Sequence, residues 1–366
     1  MKHAKLVRNV VMAVELVVVL LFMFDANAQI STDKLYPVTS KVVYSPLVDE
    51  LFKKTRLFCF GRFVMEIPAG SNIVYGPAQA DGDLIFHEGG ADKIERLVAD
   101  RVSQVETEKT YIPAYEIAEF PMIGKVVNGA VPGQKIVYGT SSGGAYSVYS
   151  YIPAGSDLFV HQSSILIGSD ELHLINRVAK QLRLRSEQEI PPEPGICVER
   201  GFLSAESTYE NVAVGLNFKE FLDVRFSADI RKNQDYLPEG SSPKELRKRA
   251  QKSAEQRGLG DFFARIKILR EGAKSVGVWE GEEILSRRPP YKGETDAHEF
   301  RFFSTGSTND VFHPKVDIRM DTGVKDNDKA SVRPSLSDKD ALALWDRLLS
   351  TIRLRVPSNK AVNAKQ

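Results

Sequence analysis

The sequence predicts an α+β protein built from two tandem, similar modules, each an antiparallel sheet with helices packed on one face. Three observations support this fold class. A segment near the end of each half is repeated, strand and helix patterns follow the same order in both halves, and a proline-bearing segment separates the halves. Strands that follow one another through short Gly-rich turns favour antiparallel pairing, with helices packed against the sheet.

Residues 1–28 have the parts of a secretory signal peptide. A basic start precedes an apolar stretch over residues 10–24, and small residues lead to a cleavage site between Ala28 and Gln29. Glu15 interrupts the apolar stretch, which is shorter than the roughly 20 residues that span a bilayer. We therefore predict a cleaved signal and an exported chain without stable membrane insertion.

The charge balance argues against a general attraction to nucleic acid or anionic lipid, because 49 Lys and Arg residues nearly balance 48 Asp and Glu residues. Binding, if any, must be local. The sequence has no C-x-x-C pair, no clustered histidines and no Gly-rich phosphate loop. It therefore predicts no metal, no cofactor and no catalytic residue.

The repeat is clearest where residues 172–185 (LHLINRVAKQLRLR) align without gaps on residues 342–355 (LALWDRLLSTIRLR). Apolar residues recur at the same steps in both copies and form one helical stripe. These residues are Leu172, Ile175, Val178 and Leu182 in the first copy and Leu342, Trp345, Leu348 and Ile352 in the second. Both copies end in a matching alternation of apolar residues and arginines, so chance similarity is a poor explanation.

The repeat continues more weakly in residues 149–156 and 300–307, where an alternating strand ends in a Gly-Ser turn. Each half also begins with a cysteine that an arginine and a phenylalanine follow. The predicted organisation is an N-terminal module over residues 50–186, a linker over 187–195, a C-terminal module over 196–356 and a disordered tail over 357–366. The prolines and acidic residues of the linker are typical of a short, stiff connection.

The middle helix of the N-terminal module is predicted from its buried face, formed by Ile94, Leu97, Val98, Val102 and Val105. Strands are predicted in this module at residues 57–67, 134–138, 146–152 and 158–167. In the C-terminal module a helix begins at Pro243, after the capping residue Ser242. Strands are predicted there at residues 211–218, 222–230, 264–270, 275–286, 299–303 and 314–320.

Residues 139–143 satisfy the G-x-S-x-G pattern of an esterase nucleophile, with Ser141 at its centre. A nucleophile elbow lies between a strand and a helix, whereas an alternating strand follows this segment. We interpret it as a hairpin loop rich in small residues. The histidines of the mature chain stand singly at His87, His161, His173, His298 and His313. A triad assembled from distant Ser, His and Asp residues stays open, because its members need not be neighbours in sequence.

The helix that begins at Pro243 is strongly basic. A patch for an acidic partner is predicted there at Lys244, Arg247, Lys248, Arg249 and Lys252. The alternatives are a solvated face that aids solubility and a surface for anionic lipid head groups.

Cys59 and Cys197 are the only cysteines, and each stands near the start of a module. After export both would lie in an oxidising compartment, where a disulfide can persist. Two small core residues and one bond between the modules both suit this placement. The compartment and the even count favour the bond.

Several segments, by their order and spacing, resemble type VI secretion lipase-immunity proteins, the cognate inhibitors of the fourth class of Tle phospholipase effectors. They are residues 59–63 with Pro68, residues 195–197 with Gly201 and Phe202, and the stretch from Ser335 to Arg355. The resemblance implies a periplasmic immunity protein of two similar lobes, whose partner is a phospholipase of the α/β-hydrolase type. It implies that the protein keeps lipid from the active site of that enzyme, and it supplies no catalytic residue.

Two other functions stay open. One is a periplasmic hydrolase or lipid-modifying enzyme with a spatial triad, and the other is an adaptor protein of the cell envelope. For the immunity function we expect loops at a cleft between the lobes to contact the partner, because a stiff linker lowers the ordering cost of that arrangement.

Overall fold

The computed structural model describes residues 43–142, 144–169, 171–204, 207–234 and 243–355. The predicted signal peptide with its Ala28–Gln29 cleavage site, the tail over 357–366 and the capping residue Ser242 lie outside these residues. Within them the chain forms antiparallel sheets and helices in two tandem modules, which confirms the predicted α+β class and the tandem arrangement.

The N-terminal module consists of a short helix, a hairpin, six further strands with two helices inserted between the second and third of them, and a closing helix and strand. Its helices are α1 (Pro46–Leu51), α2 (Ile94–Lys109), α3 (Ala114–Glu119) and α4 (Leu172–Gln181). Its strands are β1 (Thr55–Phe60), β2 (Phe63–Pro68), β3 (Asn72–Ala80), β4 (Asp83–His87), β5 (Val126–Asn128), β6 (Lys135–Ser142), β7 (Ala145–Ala154), β8 (Asp157–Leu166) and β9 (Leu182–Leu184).

The C-terminal module repeats this plan, with its inserted helices again between the second and third of six strands. Its helices are α5 (Pro243–Gln256), α6 (Gly260–Ala264) and α7 (Asp338–Ser350). Its strands are β10 (Ile196–Val198), β11 (Gly201–Leu203), β12 (Glu210–Asn217), β13 (Arg225–Arg231), β14 (Lys267–Val276), β15 (Trp279–Arg288), β16 (Ala297–Ser304), β17 (Lys315–Asp321) and β18 (Arg353–Leu354).

One twelve-stranded sheet joins the two modules, in the order β14-β15-β16-β17-β13-β12-β3-β4-β8-β7-β6-β5. Each module supplies six strands in the same internal order. The modules meet where β3 pairs with β12, from Asn72 opposite Asn217 to Ala80 opposite Glu210. Backbone hydrogen bonds therefore close the edge at which we expected a cleft between separate lobes.

Two three-stranded sheets exchange strands between the modules. The hairpin β1–β2 pairs with β18, the closing strand of the C-terminal module, where Val64 lies opposite Arg353. The hairpin β10–β11 pairs in the same way with β9, the closing strand of the N-terminal module, where Phe202 lies opposite Arg183. Each module thus completes the small sheet of the other, and we call this arrangement the strand exchange.

The helices cover both faces of the large sheet, whereas the sequence led us to expect them on one face. In the C-terminal module, Arg270 of β14 binds Asp346 of α7, and the adjacent Glu271 binds Arg247 of α5. Neighbouring residues of a strand point to opposite faces, so α5 and α7 lie on opposite sides.

The N-terminal module divides its helices in the same way. Val137 of β6 packs in a cluster with Ile94 of α2, while the adjacent Ile136 packs in a cluster with Ile175 of α4. A helical apolar stripe shows that a helix is packed, but it does not specify which face of a sheet it covers. The sequence pattern therefore could not show that helices cover both faces of the sheet.

The predicted helices and most predicted strands are present, with three differences. Residues 57–67 form β1 and β2 instead of one strand, because Gly61 turns the chain with a φ of 52°. The strand ranges predicted above did not include several strands, among them β3, β4 and β5. The predicted hairpin is present, but residues 139–142 of the G-x-S-x-G segment belong to strand β6, where a loop was predicted.

The closing helix α7 shows how the repeat forms the core. Ser337 caps it by accepting a hydrogen bond from the backbone N–H of Asp340 at 3.2 Å. Trp345 is fully buried and packs edge-on against Phe300 of β16, with ring centroids 5.9 Å apart.

Among the described residues, no helix is long and apolar enough to cross a membrane.

Candidate partner-binding face

The middle of the large sheet has one face that faces solvent between α2 and α5. We call it the open face and define it by residues of β3, β4, β12, β13 and β17. Its members are Val74, Gln79, Ile85, Ala213, Gly215, Ser227, Asp229, Asp317 and Arg319. Along β12, β13 and β17 these residues alternate with buried ones such as Val214, Phe226 and Ile318, as in a sheet with one solvated side.

The strand register places this face on the same side as α2 and α5. On the N-terminal side, Ile85 lies opposite Val160 of β8, which packs in the α2 cluster. On the C-terminal side, Arg319 lies opposite Arg301, and the register continues across β15 to Glu271, the partner of Arg247 in α5. Directly opposed residues share a face, so the open face is continuous between the two helices.

The two halves of the open face differ in chemistry. The N-terminal half exposes apolar side chains, since Val74 is 45% and Ile85 is 47% exposed. The C-terminal half carries charges that pair with each other. Asp317 accepts hydrogen bonds from Arg301 at 2.8 Å and from Arg319 at 2.7 Å.

Asp317 is ionised within this group. Burial opposes its charge, but hydrogen bonds from Arg319 and Arg301 outweigh burial and hold the pKa of the carboxyl below its ordinary value. Arg231 and Asp229 form a second pair at 2.9 Å. These charges therefore satisfy one another across β13, β16 and β17.

The basic residues predicted on α5 lie at the border of the open face. Arg247 binds Glu271 of β14 at 3.2 Å and so attaches the helix to the sheet. Lys244, Lys248, Arg249 and Lys252 are exposed. The predicted patch is therefore divided into one anchoring arginine and a group of solvent-facing cations.

Exposed aromatic residues follow α2 in the N-terminal module. Tyr111 is 84% and Tyr115 is 74% exposed, and both lie in the segment that leads into and begins α3. Tyrosines are enriched in protein interfaces because a large apolar ring carries a polar end. The two tyrosines stand in the segment T-Y-I-P-A-Y, which has no helical or strand periodicity from which their exposure could be predicted.

Cys59 and Cys197 form a disulfide with a Cα–Cα distance of 5.9 Å. The bond joins β1 to β10 and therefore joins the two modules. Next to it, Gly61 and Cys197 exchange two backbone hydrogen bonds of 2.9 and 2.8 Å. Arg62, one residue further, forms a buried bidentate ion pair with Glu210 of β12.

The last arginine of each repeat copy holds the linker. Arg185 donates to the backbone carbonyls of five residues, which are Ser186, Glu187, Glu189, Val198 and Gly201. Arg355 donates to the carbonyls of Pro191, Glu193 and Gly195. Burial lowers the pKa of Arg355 to about 10, which leaves its guanidinium charged at neutral pH. The repeat revealed both arginines, but not their role.

A carboxylate, an imidazole and a hydroxyl do come together, at Asp338, His298 and Thr322. His298 Nε2 lies 3.0 Å from Asp338 Oδ1, and His298 Nδ1 lies 2.9 Å from Thr322 Oγ1. This is the order of groups in a hydrolase triad. However, the His298 and Thr322 side chains are buried, and the hydroxyl also accepts the backbone N–H of His298. The arrangement joins β16, the end of β17 and α7, and is structural.

The remaining predicted groups are dispersed. Ser141 lies in β6 opposite Tyr146 of β7, so the residue at the centre of the G-x-S-x-G pattern is followed by a hairpin strand and not by a helix. His161 is buried and bonds the carbonyl of Ala80 at 3.0 Å, while His313 binds Asp310 at the surface. The described residues contain no group of three or more His, Cys, Asp or Glu side chains that could hold a metal ion.

The shared sheet thus presents one continuous open face between two helices. The sequence matches the Tle cognate immunity protein 4 N-terminal domain over residues 56–189 and the C-terminal domain of the same name over residues 189–357. The two matches span most of the chain, and the chain belongs to the Tle cognate immunity protein 4 family. Its predicted class, an immunity protein and not an enzyme, is confirmed by this assignment.

Three solved structures share the fold. The immunity protein TplEi of the type VI secretion system from Pseudomonas aeruginosa, complexed with "L" peptide, is 22% identical, with a TM-score of 0.62, and the match covers 84% of this chain and 100% of that one. The apo structure of the same immunity protein is 21% identical, with a TM-score of 0.61, and the match covers 83% of this chain and 98% of that one. A chain of the Tle4–Tli4 complex is 20% identical, with a TM-score of 0.64, and the match covers 84% of this chain and 99% of that one. No curated protein matches the sequence.

Proposed function

We propose that the protein binds a cognate Tle phospholipase, an effector of type VI secretion, and inhibits it by covering its active site. The family assignment supports the partner class. The open face supports the mode of action, because it offers one continuous surface across both modules. A stable interface of this kind buries roughly 1,600 Å² in total, which requires such a broad surface.

The protein is built to bind with little loss of conformational freedom. Inhibition of a toxic enzyme before it reaches lipid requires nanomolar affinity, about −12 kcal/mol. The shared sheet, the disulfide and the clamped linker fix the modules relative to each other before binding. Less of the contact energy is then lost in ordering the interface.

The direct test is titration of the purified cognate phospholipase with the mature protein, with lipid hydrolysis as the measurement. We expect hydrolysis to stop near one equivalent. The protein alone should release no fatty acid, and Ser141→Ala should inhibit as well as the wild type. Hydrolysis by the protein alone, lost in S141A, would instead support the hydrolase function.

We also propose that the protein acts in the periplasm, after export and removal of residues 1–28. The basic, apolar and small-residue parts of that segment support this location. Mass spectrometry of the protein from a periplasmic extract should give a chain that begins at Gln29. A mature chain that retains its first 28 residues, or remains in the cytoplasm, would contradict the proposal.

A further inference from the structure

The helix α5 carries three lysines in a line along its exposed side. Lys244, Lys248 and Lys252 follow one another at intervals of four residues, which places them on one side of an α-helix. All three are exposed. We call them the lysine stripe.

The basic residues of α5 outnumber its acidic ones, since five lysines and arginines stand against Glu245 and Glu255. Like charges four residues apart destabilise a helix by about 0.2–0.5 kcal/mol per pair, and no ion pair of these three lysines occurs among the described residues. The neighbouring Arg247 is different, because Glu271 binds it and it anchors the helix. The stripe is therefore a local positive surface in a protein whose formal net charge is only +1.

The open face beside the stripe does not neutralise it. Its carboxylates at Asp229 and Asp317 are bound by Arg231, Arg301 and Arg319. A partner that approaches this side of the molecule thus meets paired charges on the sheet and unpaired lysines on the helix.

We infer that the lysine stripe binds an acidic protein segment of the effector at the edge of the interface. This inference rests on the proposed function and identifies the chemistry of the partner surface. A charged stripe at the rim of an interface acts mainly on the rate of association, since it steers an oppositely charged partner.

A membrane surface suits the stripe less well. Helices that lie in a membrane interface insert an apolar face, whereas Leu246, Ala250 and Ala254 of α5 face the protein and are half-buried. Lysines near an anionic membrane contribute about 1 kcal/mol each. Three lysines would thus contribute about 3 kcal/mol of binding free energy. Even a complex with a millimolar Kd requires roughly 4 kcal/mol.

The test is the triple charge reversal Lys244→Glu, Lys248→Glu and Lys252→Glu in the full mature chain. All three side chains are exposed, and glutamate at position 244 is compatible with the helix dipole, so we expect the fold and the thermal midpoint to be retained. The association rate with the purified phospholipase should fall about tenfold or more at low salt. The difference should shrink as salt rises, because screening weakens steering.

The matched control reverses three exposed lysines away from α5, namely Lys54, Lys180 and Lys339. It has the same net charge as the stripe variant and should leave the association rate within about twofold of the wild type. An equal loss in both variants, or no loss in either, would overturn the inference. So would wild-type binding to vesicles with 30% phosphatidylglycerol that the stripe variant loses while its association with the phospholipase is unchanged.

The proposed function and the role of the lysine stripe can be contradicted separately. A wild-type chain that does not bind the phospholipase contradicts the proposed function. A wild-type chain that binds, together with a stripe variant that binds at the same rate, contradicts only the lysine stripe.

Discussion

Asp338 shows how single residues hold this fold together. It accepts hydrogen bonds from Lys267 at 2.7 Å, Arg287 at 2.8 Å and His298 at 3.0 Å. Burial opposes its charge, but these donors outweigh burial and hold the pKa of its carboxyl well below the ordinary value. One side chain thereby connects the first turn of α7 to β14, β15 and β16.

Asp338→Asn should reduce the free energy of unfolding by about 2 kcal/mol, because it weakens three hydrogen bonds to one carboxylate. Urea denaturation measures the change. Asp261→Asn is the matched control, since Asp261 stands exposed in the first turn of α6. An equal effect of the two substitutions would contradict the role of Asp338.

The buried histidines predict a loss of stability in mild acid. Burial lowers the pKa of both His161 and His298 below the ordinary value near 6.5. The unfolded chain then binds more protons than the folded chain as pH falls below about 6.5, so the free energy of unfolding should decrease from pH 7 to pH 5. His298→Asn should make this slope smaller. The same pH dependence in the wild type and in His298→Asn would show that His298 does not contribute to the loss of stability.

The disulfide predicts a resistance to unfolding that reduction removes. Cys59→Ala with Cys197→Ala should lower the free energy of unfolding by about 3 kcal/mol, because the bond closes a long loop in the unfolded chain. Alkylation under non-reducing conditions should leave the mass of the wild type unchanged. Two alkylated thiols in the native protein would contradict the bond.

At the level of elements, the closing strands β9 and β18 have two tasks. Each completes the hairpin of the other module, and each is followed directly by the arginine that holds the linker. The aligned segment LRLR or IRLR thus ends in a strand and a clamp, and not in a longer helix. The shared alternation of apolar residue and arginine reflects this strand, whose neighbouring side chains point to opposite faces.

Arg355→Lys should cost about 2 kcal/mol of stability, because a lysine cannot reproduce the planar set of donors that reaches three linker carbonyls. Arg353→Lys is the control, two residues earlier in β18. Arg353 is exposed and bonds only to the carbonyl of Thr351, at 3.3 Å, among the described contacts. Thermal unfolding of both variants measures the difference, and equal midpoints would exclude the clamp.

At the level of the whole molecule, the modules are held together by more than the linker. The pairing of β3 with β12, the strand exchange and the disulfide all cross between them. A single module lacks the closing strand that its own hairpin needs. The two modules therefore form one binding unit, and the linker is one of several connections.

A protease site inserted between Gln188 and Glu189 tests this integration. After cleavage of the folded protein, we expect the two fragments to remain associated even when the disulfide is reduced, because three sets of strand pairings cross between them. Size-exclusion chromatography under native conditions measures this. Separation into two fragments on reduction alone would show that the strand pairings are too weak to hold the modules.

The sequence by itself determined the duplication, the α+β class, most strands and the buried stripes of α2, α4 and α7, because these depend on periodicity along the chain. Only the tertiary structure decided how the modules join. The edge pairing of β3 with β12, the exchange of β9 and β18 and the two helix-covered faces depend on contacts between residues far apart in sequence. An alternating strand pattern specifies that one face is buried, but it carries no information about which other strand pairs with its edge.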